Sequence, residues 1–116
     1  MTNYDGIDFY IGISNVLGDE VLFKEILVMF YQDHHLDGNK LQNAIQQQDF
    51  DSVKHLAHTL KGVACSVGAM DLFEVTKALD IAVHDDKQED FDSLFYQLSL
   101  QIDRVMKGIG LALDVS

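Results

Sequence analysis

Apolar residues recur every three or four positions along the whole chain, the spacing of amphipathic helices. The first such segment sets Ile7, Tyr10, Ile11 and Leu17 on one face and stops near Gly18. The second starts at Asp19, an N-capping residue type, and carries Leu22, Ile26, Met29 and Phe30. It is apolar on more than one face, which predicts a helix packed on two sides. A break falls at His35 to Gly38, and a third segment carries Leu41, Ala44 and Ile45 into Gln46-Gln47-Gln48. The fourth starts at Asp49 or Asp51. It repeats the i, i+3, i+4, i+7 stripe through Val53, Leu56, Ala57, Leu60, Val63, Ala64 and Val67, and Gly68 marks its turn. The fifth carries Leu72, Val75, Leu79, Ala82 and Val83 up to the charged His84-Asp85-Asp86-Lys87. The sixth begins near Asp90 and carries Phe91, Leu94, Phe95, Leu98, Ile102, Val105 and Ile109, with Gly108 and Gly110 loosening its end.

No run alternates apolar and polar residues between Asn-Gly or Asp-Gly turns, so a hairpin-built sheet is not expected. The chain has no proline, and long helices are allowed throughout. Two helix starts share one pattern, Asp49-Phe50-Asp51-Ser52 and Asp90-Phe91-Asp92-Ser93, which places acids where the helix dipole favours them. Short connections between the last four helices imply antiparallel neighbours. The expectation is an all-α fold: an antiparallel up-down four-helix bundle over about residues 36–112, with two accessory N-terminal helices over about residues 7–35. At 116 residues the chain makes one domain, 1–116.

Composition narrows the partners. Lys plus Arg is 8 and Asp plus Glu is 19, a net charge of −11, which disfavours nucleic acid or an anionic membrane as the main partner. Apolar residues are 47% and charged residues 23%, a globular balance rather than a disordered one. The single cysteine, Cys65, excludes an internal disulfide and a Cys-rich zinc site, and fits a reducing compartment. The N-terminus lacks a basic stretch followed by an apolar run, and no apolar run approaches the roughly 20 residues that cross a bilayer. A cytoplasmic, monomeric protein is expected. Met1 and the lack of flanking segments suit a free-standing chain, and an excised domain would look the same.

The fourth segment carries the candidate chemistry. On a helical wheel His58 lies nearly opposite the apolar stripe, facing solvent. Gly62 lies one turn along the same outward face and Cys65 a further turn along. Lys54 and Lys61 flank that face, with Lys61 at i+3 from the histidine. A glycine within a helix costs roughly 1 kcal/mol relative to Ala, and the apolar face does not need this one. It leaves flat ground where another surface can approach. Imidazole is largely unprotonated and nucleophilic at neutral pH and forms covalent intermediates. A phosphoryl group on His58 would add about two negative charges, which Lys61 is placed to offset in part. No G-x-x-x-x-G-K loop or Gly-rich strand–helix turn offers a site for ATP.

A metal site is the sharp alternative, and spacing disfavours it. His34 and His35 are adjacent and point about 100° apart. His55 and His58, at i and i+3, have no third ligand set by spacing. No Glu-x-x-His motif of helical carboxylate sites occurs. No cofactor is expected, and Cys65 reads as an inert small residue.

The run Leu56-Ala57-His58-Thr59-Leu60-Lys61-Gly62-Val63-Ala64, followed by Val67-Gly68-Ala69 and Leu72, resembles the signature of histidine phosphotransfer (HPt) domains. The family pattern is A-H-x-L-K-G, a small residue two positions later, then G-A two turns on. The likeness extends to Gly6-Ile7-Asp8, Gly18-Asp19-Glu20 and the segment from Leu22 to Phe30, and fades after about residue 90. It implies a four-helix bundle in which exposed His58 takes a phosphoryl group from an aspartyl phosphate on a receiver domain and passes it to another. In bacterial-type two-component relays the partners are response-regulator receiver domains and a hybrid sensor histidine kinase. The receiver brings Mg²⁺ and most of the catalysis, so the chain is a transfer intermediate rather than an enzyme. Lys61 matches the charge-balancing lysine and Gly62 the docking glycine, within a docking surface of Gly62, Lys54, His55 and Cys65. Some relatives place a Gln or an acid near the imidazole from the next helix. Asp80 is the motif-matched position, able to accept from an imidazole N–H, and Lys77 is a second candidate there. The competing reading is a helical adaptor that binds a signalling partner without carrying phosphate.

Overall fold

Six α-helices and one 3-10 turn build the described residues, 6–113, in the computed structural model. They are α1 (Phe9–Ser14), α2 (Glu20–His34), α3 (Asp37–Gln46), α4 (Phe50–Val67), α5 (Met70–His84) and α6 (Phe91–Leu113), the 3-10 turn being Gln88–Asp90. No strand occurs among the described residues. The outer bounds of the expected domain, residues 1 and 116, lie outside them.

Three aspartates start helices as their residue type predicts. The Asp8, Asp19 and Asp49 carboxylates accept from the backbone N–H groups of Ile11, Leu22 and Ser52, each three residues on. These bonds satisfy amides that the helix itself leaves unpaired. The α4 helix ends at Gly68, whose φ of +81° is the left-handed C-cap conformation that glycine adopts without a side-chain penalty.

Helices α3, α4, α5 and α6 close a ring of contacts: α3 on α4, α4 on α5, α5 on α6 and α6 back on α3. Inside it lie Leu41, Leu60, Leu72, Leu79 and Leu98, all with no exposed area. Burying a side chain of this size stabilises the fold by roughly 2–3 kcal/mol. Helix α2 lies across α4 and α6, and α1 packs on α4 and α2. The twin helix starts meet: the Phe50 and Phe91 rings stand edge to face with centroids 5.5 Å apart.

The structure corrects three expectations. In the first segment, Tyr10 is 78% and Leu17 98% exposed, while Ile7, Phe9 and Ile13 are buried. The helix begins only after the Asp8 cap, so Ile7 is not in helical phase with the rest, and Leu17 sits in a turn at φ +57°. In α2 the buried stripe is Phe23, Leu27 and Phe30, whereas Leu22 and Met29 are exposed and Ile26 only partly covered. The Phe9 ring meets Phe23 edge to face at 5.2 Å and fixes which face turns inward. The outer edge of α2, including Val21 and Val28, remains exposed rather than packed. In the sixth segment Gly108 and Gly110 do not loosen the helix, which continues through buried Ile109 to Leu113.

Candidate functional site

Helix α4 has 18 residues, and His58 is the ninth. Its buried residues are Val53, Ala57, Leu60, Ala64 and Val67, an arc centred on Val53. At 100° per residue His58 falls about 140° from that centre, Gly62 about 180°, Lys54 about 100° and Lys61 about 80°. The same arithmetic that buries Leu60 therefore puts His58 outside. The imidazole is exposed, and no described residue hydrogen-bonds to it.

The ground beside it is open. A Cβ built on Gly62 would meet nothing within 4 Å. Lys54, His55 and Cys65 are all exposed on the same helix. A chain carrying net −11 thus presents two lysines around one histidine.

Lys61 stands where the spacing places it, three residues from His58, but its ammonium is engaged. Its Nζ donates to Asp80 Oδ2 at 2.9 Å, an ion pair between α4 and α5. The side chains are 28% and 19% exposed, respectively, so the pair is half-buried. Asp80 therefore binds the lysine and not the imidazole, which differs from the contact foreseen for it. The reason is reach. Helical side chains lean toward the N-terminus, and the long Lys61 stem carries its charge to the α5 carboxylate. Lys77 is exposed and makes no hydrogen bond to a described residue.

One contributor escaped the sequence reasoning. The Asn15 side-chain amide donates to the carbonyls of Cys65 (3.3 Å) and Ser66 (3.1 Å), while Asp8 N–H donates to Gly68 O at 2.8 Å. Together they tie the α1 segment to the end of α4, beside the outward face. No local pattern announces a bond between residues 50 apart. Two histidines elsewhere are occupied separately: His34 pairs with buried Asp37 at 2.8 Å, and His35 Nδ1 lies 2.8 Å from the Tyr31 carbonyl. Among the described residues no group of three or more His, Cys, Asp or Glu side chains is arranged to hold a metal ion. No described helix is long and apolar enough to cross a membrane.

This geometry leaves an imidazole in water with two lysines nearby on the same helix. Comparison with known proteins bears on that arrangement. No curated protein and no solved structure matches the chain. The Hpt domain family does match, over residues 25–108, which takes in most of α2 and everything from α3 through most of α6, with His58, Lys61, Gly62 and Asp80 inside. With well over half of its 116 residues in that match, the chain belongs to the Hpt domain family, the phosphotransfer domains of His–Asp phosphorelays.

Proposed function

We propose that this protein is a phosphocarrier whose His58 accepts a phosphoryl group from the aspartyl phosphate of one receiver domain and delivers it to another. An unprotonated imidazole nitrogen attacks phosphorus, an N–P bond forms, and the acyl-phosphate O–P bond breaks. The receiver's carboxylate leaves, and the other imidazole nitrogen releases its proton to solvent. The observation that carries this reading is the solvent-exposed ring of His58, to which no described residue hydrogen-bonds, with open ground at Gly62. Lys61 supports the phosphoryl charge, and the docking surface is Gly62, Lys54, His55 and Cys65. The receiver supplies Mg²⁺ and the catalytic apparatus, and a hybrid sensor histidine kinase stands upstream. The protein works in the cytoplasm as a monomer.

We further infer that α3 to α6 form an antiparallel up-down bundle over about residues 36–112, flanked by the helices of residues 7–35. Two observations support it. Only Gly68 and Ala69 separate α4 from α5, and Phe50 and Phe91, the first residues of α4 and α6, touch at one end of the bundle.

The test is transfer from a receiver domain phosphorylated in vitro. Acid-labile phosphate is expected on the wild-type chain and none on His58→Gln, with circular dichroism unchanged because the side chain is exposed. Label persisting on His58→Gln would overturn the assignment. A folded wild-type chain that binds receivers without acquiring label would overturn it in favour of an adaptor.

A further inference from the structure

Around His58, α4 presents Lys54 and Lys61, and among the described residues the one carboxylate engaged with either is Asp80 of α5. We infer that Asp80 is a positioning residue that competes with the phosphoryl group for Lys61 and so sets how readily His58 is loaded. The inference rests on the reading of His58 as the phosphoacceptor. With the imidazole empty, the strongest anion within reach of the Lys61 ammonium is the Asp80 carboxylate, and the 2.9 Å pair records that state. Residues at i and i+3 on a helix stand about 5–6 Å apart at Cβ, so the flexible lysine reaches a group on His58 by rotating its own stem. A phosphoryl group carries about two negative charges against one on Asp80. Loading therefore draws the ammonium away and leaves the carboxylate near the new anion without its counter-ion. Both effects oppose loading. Half-burial of the pair keeps solvent from screening it fully. Asp80 thus keeps the phosphohistidine poised to give up its group rather than retain it.

Phosphoramidate tests this without any partner. The imidazole nitrogen takes the phosphoryl group, the P–N bond of the donor breaks, and ammonia leaves with the imidazole proton. At a fixed ratio of phosphoramidate to ammonia, the plateau of phosphohistidine measured by ³¹P NMR reads the loading equilibrium. Asp80→Asn keeps the shape and removes the charge. It is expected to raise the loading constant about fivefold, the order set by one half-exposed ion pair. In a Lys61→Met background the same change should have less than half that effect, a coupling that loss of packing would not produce. An Asp80→Asn constant equal to or below that of the wild type would overturn the inference, as would an undiminished effect without Lys61. Failure of the wild-type chain itself to load would instead strike at His58 as the acceptor.

Discussion

Replacing Gly62 separates what the helix prefers from what the site requires. It lies in the interior of α4 at an exposed position, and a Cβ there meets nothing within 4 Å. Gly62→Ala therefore gains helix propensity with no steric penalty, about 0.8–1 kcal/mol. Unfolding entropy of about 2.1 cal/mol/K per residue over 116 residues gives about 0.24 kcal/mol/K, so Tm should rise by about 3–4 °C. Scanning calorimetry or thermal circular dichroism reads that directly. Gly62→Leu is also a good helix former with room for its side chain, and it should fold at least as stably as the wild type. Yet it raises a bulky group one turn from His58, on the proposed docking surface for a receiver. Transfer from a phosphorylated receiver should fall about 5- to 100-fold, the scale of a 1–3 kcal/mol overpacking penalty. Loading by phosphoramidate, a donor of a few atoms, should be unchanged. A drop in Tm for Gly62→Ala would refute the open-space argument. Receiver transfer at the wild-type rate by Gly62→Leu would refute the docking role.

Three further substitutions test the scaffold. Gly68→Ala forces a side chain into a left-handed conformation and drives its Cβ against the Asp8 carbonyl oxygen, so a loss of about 2 kcal/mol or more is expected in urea unfolding. Asp49→Ala removes the cap on Ser52 N–H and the 2.7 Å bond from Ser52 Oγ, and should lower stability by about 1 kcal/mol with an unchanged m-value. Asn15→Ala cuts two bonds from α1 to α4; amide exchange should speed up in α1 and stay as in the wild type in α5 and α6.

The bundle helices were legible because each has one apolar stripe. In α4 the choice between buried and exposed residues is forced, and that choice alone placed His58 in solvent. Helix α2 was not legible in the same way. Leu22, Ile26 and Met29 repeat as regularly as Phe23, Leu27 and Phe30, so periodicity cannot select a face, and the Phe9 ring decides it. The first segment is less legible because its apolar spacing runs across the Asp8 cap, where the chain is not helical. Gly108 and Gly110 carry poor helix propensity, but burial of Ile109 between them outweighs it. At the site, the motif located Lys61 and Gly62 by spacing along one helix. The Lys61–Asp80 bond depends on how two helices are set against each other, which no single-helix wheel contains.

The place of His58 at the midpoint of α4 has a thermodynamic consequence. Every peptide N–H around it is already committed to the α-helical ladder, and both poles of the helix dipole are more than two turns away. A group seated there receives no amide nest and no favourable pole. In the proposed role the bond to nitrogen would keep a high group-transfer potential, with the side-chain ammonium of Lys61, rather than the backbone, left to hold the group when the next acceptor docks.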